Sequence, residues 1–252
     1  LYIGEKVGAG WSAPTGDAMP RVDIAVDPLE GTNLCATGQP DSIAVIALAE
    51  DGKFLNAPDT YMDKIATGPE GHGVVSLKKS PGDNVRGLAQ AKGRKPSDIT
   101  VVVLERDRHV GLVADLREAG ARVFLISDGD VAPAIATCLP ESGIDMVYGT
   151  GGAPEGVLAA AALHCLGGCF KGRLNWRSEA ERARAIDMGM KDPDMYLELD
   201  DLVRGEVIFV ATGVTTGPLL KGVRRVGDRL FLQTLAMRSN TGTVRWVETS
   251  VQ

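Results

Sequence analysis

Cysteine is scarce in this chain of 252 residues. Cys35, Cys138, Cys165 and Cys169 form no CxxC pair, and none has a histidine at zinc-ligand spacing. This argues against a disulfide framework and a structural zinc site, and neutral thiols in a reducing compartment are expected. Histidine is scarcer still: His72, His109 and His164 are scattered, which disfavours chemistry built on a histidine dyad. An excess of positive charge is missing too. The net charge of −6 disfavours a general nucleic-acid binder, while a local basic cluster can still hold an anionic small molecule. No apolar run approaches the roughly 18 residues of a membrane span, and the chain does not open on a signal-peptide pattern. A cytoplasmic protein without membrane contact is therefore expected. Repeats and low-complexity tracts are absent.

The remainder has the composition of an ordinary globular protein, 44% hydrophobic and 24% charged. From residue 99 onward strands and helices alternate. TVVVL (100–104), RVFLI (122–126) and IDMVYG (144–149) read as strands. Residues 108–119 show helical spacing before Gly120, a short helix runs from Asp130 to Cys138, and 154–166 opens on Pro154-Glu155 and ends at Gly167-Gly168. Three β-then-α units predict a mostly parallel sheet with helices on both faces. The first part reads as α+β: strands VDIAV (22–26), SIAVIALA (42–49) and GVVSL (73–77), then a helix over 83–91. Near the C-terminus, VIFVAT (207–212) reads as a strand. LFLQTLAMRS (230–239) and TVRWVET (243–249) read as a hairpin joined at Asn240-Thr241-Gly242. The expected division is an α+β part over 1–98 and an α/β part over 99–252.

Four clusters carry candidate chemistry. DPLEGTN (27–33) follows a strand with two acids three residues apart, then Gly31 and Thr32 at a turn or helix start. Carboxylates beside backbone N–H groups suit hard cations that bridge to a phosphate. The alternative from spacing alone is a turn-capping Asp27 and a solvated Glu30. GTGGAPEG (149–156) places Glu155 in the first turn of a small-residue helix, where an acid also simply complements the helix dipole. DGD (128–130) lies at a strand end and a helix start, where either acid alone reads as a cap. RDRH (106–109) sets Arg106 and Arg108 after a strand, as a phosphate clamp or a solvated face. Asp27, Arg108, Asp128 and Glu155 all fall at predicted strand ends, on what is expected to be one sheet edge.

These stretches, with NAPDTYMDK (56–64), LISDGDVAPAIA (125–136), GCFKGRL (168–174), ATGVTTGPLLKGVR (211–224) and MRSNTGTVRWVET (237–249), closely resemble the bacterial class II fructose-1,6-bisphosphatases over essentially the whole chain. The DP-x-[DE]-GT element is also similar to that of the wider lithium-sensitive inositol monophosphatase superfamily.

The resemblance implies a layered α-β-α-β-α sandwich and metal-dependent hydrolysis of the 1-phosphate of fructose 1,6-bisphosphate, with Mg²⁺ or Mn²⁺ as cofactor. Sedoheptulose 1,7-bisphosphate is the alternative substrate, and a silent sugar-phosphate-binding fragment is the alternative of another kind. Carried over by motif, Asp27, Glu30 and Glu155 would hold metal, and Asp27, Glu30 and Thr32 would act in catalysis. Glu30, Gly31 and Thr32 would hold the scissile phosphate. Tyr61, Arg106, Asp107 and Arg108 would lie at the distal phosphate, and Asp128, Gly129, Asp130 and Gly152 at the sugar. Asp107 stands where the family often has proline, and 9–20 looks longer than the usual connection. The family also carries further acidic ligands upstream. Because the chain opens at Leu1 inside LYIGEKVG, preceding residues are expected to be missing. A homo-oligomer, dimer or tetramer, is implied as well.

Overall fold

A computed structural model of the chain describes residues 4–8 and 21–252. The long connection expected at 9–20 lies outside the described residues. Twelve strands form two six-stranded sheets, accompanied by seven α-helices among the described residues.

The first sheet contains β1 (Val22–Glu30) and β2 (Ile43–Glu50). The second contains β3 (Tyr61–Thr67), β4 (Thr100–Leu104), β5 (Arg122–Ile126), β6 (Met146–Gly152), β7 (Cys169–Asn175) and the short β8 (Leu197–Glu198). The chain then returns to the first sheet with β9 (Val207–Gly213), β10 (Arg224–Val226), β11 (Arg229–Arg238) and β12 (Thr243–Val251). Both sheets take strands from either side of residue 98, so a division there would cut through each.

The first sheet is antiparallel throughout, in the order β1-β2-β9-β11-β10 with β12 on β11. The expected C-terminal hairpin is its β11–β12 pair, turning at Gly242. The second sheet runs β5-β4-β6-β3-β7-β8 and corrects the mostly parallel expectation. Only β5-β4-β6 is parallel, whereas β3 pairs antiparallel with both β6 and β7. The β6–helix–β7 unit leaves a gap one strand wide, and β3 fills it from earlier in the chain. The expected strand at 73–77 is a run of turns, and the strand in that region is β3.

The helices are α1 (Thr32–Ala36), α2 (Pro81–Ala91), α3 (Val110–Glu118), α4 (Val131–Ala136), α5 (Ala153–Leu166), α6 (Glu179–Asp187) and α7 (Leu199–Leu202). Helix α5 is apolar on all sides, as befits a helix buried all round. It packs against β1, β2, β9 and β11 of the first sheet and against β3, β6 and β7 of the second. Ala159, Ala160, Ala161 and Ala162 are almost fully buried there. A smaller core under α2 and α3 gathers Ile65, Leu88, Ile99, Val101, Val103 and Leu116. No helix among the described residues is long and apolar enough to cross a membrane.

Candidate active site

The acids of DPLEG meet because strand β1 is bulged. A regular strand alternates faces at every residue, so positions 27 and 30 would point apart. In the β1–β2 ladder Asp27 pairs with Val45 and Glu30 with Ile43, so three steps on one strand match two on the other. The extra residue falls at Pro28-Leu29, where proline offers no ladder N–H, and it returns Glu30 to the face of Asp27. The Leu29 N–H donates to Asp27 Oδ1 at 2.9 Å and steadies the bulge.

Gly31 then takes a left-handed conformation, φ 76° and ψ 50°, and opens α1. Its counterpart in DGD is Gly129, with φ 74°. The two turns pack glycine against glycine: a Cβ built on Gly129 would lie 3.6 Å from Gly31 Cα and 3.2 Å from Leu34 Cδ1. The turns also cap one another's helices. The Val131 N–H at the start of α4 donates to Glu30 Oε1 at 3.3 Å, and the Asn33 N–H of α1 donates to Asp128 Oδ2 at 3.1 Å. Asp128 thus caps a helix of the other turn, not its own.

Glu155 arrives on the first turn of α5, and Asp27, Glu30 and Glu155 each offer an oxygen within 4.8 Å of the others. Burial pushes the Glu30 carboxyl up to about 9, with the nearby Asp130 and Glu155 carboxylates adding to it, against the opposing pull of Lys64 and the Val131 N–H. Burial also raises the pKa of Glu155. Glu155 Oε2 is buried and meets no hydrogen-bond donor among the described residues. Three crowded carboxylates, one with an orphaned oxygen, form an all-oxygen donor set of the kind that a hard divalent cation stabilises. The residues present therefore fit a metal.

Asp130 is nearly buried and pairs with Lys64 Nζ at 2.7 Å. The Lys64 ammonium also donates to Gly152 O at 3.3 Å. Gly151 lies against this pair so closely that a Cβ there would be 2.7 Å from Asp130 Oδ2 and 2.9 Å from Lys64 Nζ.

Beyond the acids the site turns basic. Tyr61 pairs with Gly152 across β3–β6 and is exposed, so it is not a core tyrosine. The Arg108 guanidinium stands 5.0 Å from its ring centroid. Arg108 donates to Thr150 O from Nη2 at 2.7 Å and from Nε at 3.3 Å. Arg106 turns the other way, giving Nη1 to Ser127 O and Glu105 O, each at 2.8 Å. Asp107 is exposed at the start of the turn before α3.

The four strand-end residues therefore do not share one sheet edge. Asp27 comes from the first sheet, and Arg108, Asp128 and Glu155 follow strands of the second. Chain order hides this because β1 and β6 look alike as local strand-then-turn patterns.

Two further residues shape the site that motif reading did not single out. Lys64 sits on the inward face of β3, where a lysine looks like a solvated charge until the strand is known to be central. His109 is buried: Nδ1 lies 2.7 Å from Leu104 O, and the Thr150 N–H donates to Nε2 at 2.8 Å. These partners require the neutral ring with its proton on Nδ1. Burial lowers its pKa, and Arg108 and Arg106 add to this against the Leu104 carbonyl. His109 thereby ties the end of β4 to β6 and fixes the carbonyl on which Arg108 hangs.

The model of the family "Bacterial fructose-1,6-bisphosphatase, glpX-encoded" matches residues 1–251. Among similar proteins is the fructose-1,6-bisphosphatase 1 class 2 of Escherichia coli K12, 44% identical across 98% of this chain and 76% of its own length. The class 2 enzyme of Shigella flexneri matches equally. The "D-fructose 1,6-bisphosphatase class 2/sedoheptulose 1,7-bisphosphatase" of Synechococcus sp. JA-3-3Ab is 45% identical across 99% of this chain and 77% of its own length. With its acids, glycine turns and arginine–tyrosine end in the places described, the chain belongs to the bacterial, glpX-encoded fructose-1,6-bisphosphatase family.

Proposed function

We propose that this site hydrolyses fructose 1,6-bisphosphate to fructose 6-phosphate and phosphate. The observation that carries the reading is the convergence of Asp27, Glu30 and Glu155 within 4.8 Å, with the Glu155 oxygen left unpartnered, beside the tyrosine–arginine end.

Asp27, Glu30 and Glu155 would hold the divalent cation, Mg²⁺ or Mn²⁺. When bound, that ion supplies charge neutralisation at phosphorus and makes a coordinated water more acidic. The chain's own groups do the rest. Glu30, Gly31 and Thr32 form the turn that receives the scissile phosphoryl group. The N–H groups of Gly31 and Thr32 face charge that develops on its equatorial oxygens, and the Thr32 hydroxyl adds a donor. Asp128, Gly129, Asp130 and Gly152 take the sugar hydroxyls, with Asp130 held in one orientation by Lys64. Tyr61 and Arg108 line the distal-phosphate end, where Arg108 supplies the guanidinium, and Arg106 and Asp107 flank it from the turn before α3, with the Arg106 guanidinium turned to Ser127 O and Glu105 O. Hydrolysis then needs only a positioned water in line with the departing sugar oxygen.

Membership of the inositol monophosphatase-like superfamily, with its five-layer sandwich, follows as part of the same reading. So do a homo-oligomeric assembly and a cytoplasmic location. The test is phosphate release from fructose 1,6-bisphosphate and from sedoheptulose 1,7-bisphosphate, each with Mn²⁺ and with a chelator. Release that is unaffected by chelation would overturn the metal assignment. Release from the seven-carbon substrate alone would move the reading to the second activity named for the Synechococcus relative.

A further inference from the structure

We propose that Arg177 is a further residue of the distal-phosphate cradle, aimed there by Glu181. The inference rests on the sugar-bisphosphate reading above. Tyr61 is approached by two guanidinium groups: Arg108 at 5.0 Å from the ring centroid and Arg177 at 5.5 Å. Arg177 follows β7, two residues beyond Asn175, and Asn175 is the strand partner of Tyr61.

Glu181 Oε1 accepts from Arg177 Nε at 2.6 Å, and Glu181 Oε2 accepts from the Arg177 backbone N–H at 3.0 Å. Arg177 Nη2 donates to Asp59 O at 2.8 Å. This leaves Nη1 without a partner among the described residues, as it does in Arg108. Two like charges gathered at one neutral ring repel each other unless an anion joins them. Glu181 pairs with one of them, the Asp63 carboxylate two residues along β3 is taken up by Thr150 Oγ1 and Asn175 Nδ2, and each guanidinium keeps Nη1 as an unused donor. A dianionic phosphate accepts from both, and planar guanidinium groups suit its oxygens.

The placement is also fixed relative to the acids. The Thr60 hydroxyl donates to Glu181 Oε2 at 2.9 Å, and Thr60 O accepts from the Ala153 N–H at 2.9 Å. Ala153 begins α5, the helix that carries Glu155. A short chain of contacts thus sets the reach from the carboxylate cluster to the arginines. That reach selects substrates with a second phosphate at the matching distance and gives Arg177 a role in specificity.

The experiment measures binding of fructose 6-phosphate by calorimetry, and KM and kcat for fructose 1,6-bisphosphate, in the full chain with Arg177→Gln, Arg177→Lys and Arg108→Gln. Loss of a contact to a non-reacting phosphate should raise Kd and KM about tenfold or more while kcat changes little, and the lysine variant should recover part of the loss. Unchanged Kd and KM in Arg177→Gln, with both raised in Arg108→Gln, would overturn the inference and leave the substrate reading standing. Failure of the unaltered protein to bind fructose 6-phosphate or to hydrolyse the bisphosphate would overturn the reading and the inference with it.

Discussion

Lys64 and Asp130 form an ion pair of 2.7 Å in which the side chains retain only 4% and 8% of their exposure. Removing one partner of such a pair leaves a bare buried charge, which costs about 3–5 kcal/mol. Lys64→Met should destabilise the chain by that amount in chemical denaturation. Lys64→Met with Asp130→Asn should recover a large part of it, because position 130 then carries no stranded charge. A single variant as stable as the original would show that water reaches Asp130.

The metal assignment predicts that Asp27→Asn and Glu155→Gln each lower turnover by about 100-fold or more, since neutral amides keep the shape and lose the charge that holds a hard cation. Circular dichroism should be unchanged and Mn²⁺ binding by calorimetry much weakened. Near-normal rates at saturating Mn²⁺ would remove either residue from the ligand set.

The acid cluster also predicts a direction with pH. The Glu30 carboxyl moves from an ordinary 4.5 to about 9 on folding, so the folded chain binds more protons than the unfolded one between those values. Stability of the chelated protein is therefore greatest below the lower value and falls as pH rises toward the upper one. Melting temperature with a chelator should drop from pH 5 to 9, and Glu30→Gln should flatten the slope. Added Mn²⁺ should counter the drop most strongly at high pH, because bound cation favours the ionised carboxylates. A flat profile in chelator would mean that Glu30 stays ionised.

Arg108 makes a separate prediction. Arg108→Ala should raise KM for fructose 1,6-bisphosphate about tenfold or more, while slowing cleavage of a sugar monophosphate without the distal group far less. Equal losses on both substrates would assign Arg108 to the scissile end or to the fold.

Local patterns carried much of this architecture. TVVVL and RVFLI coincide with β4 and β5, and the glycine-bounded run at 154–166 is α5. Strand β3 escaped because its inward positions Met62, Lys64 and Ala66 carry no β-branched residue and include a charge. Its placement between β6 and β7 depends on pairing with residues distant in the chain, which no short window records. The acids of DPLEG were legible as a motif, but the bulge that turns both to one face follows from register with β2. Lys64 and Arg177 were invisible for a common reason: isolated cations read as solvated until their neighbours are known.

Helix α5 acts as a spacer gauge. Its small side chains set how closely the two sheets approach, and the candidate site draws Asp27 and Glu30 from one sheet, Lys64 and Asp130 from beside the other, and Glu155 from the helix itself. The clearance between the acids is thus a dimension of the core, measured in alanine radii. Ala160 lies five residues along from Glu155, about 7.5 Å by helical rise. A valine there would still wedge the sheets apart and detune the carboxylate cluster, because a close-packed interior passes such strain along. Calibration of the site is thereby distributed through residues that have no chemistry of their own.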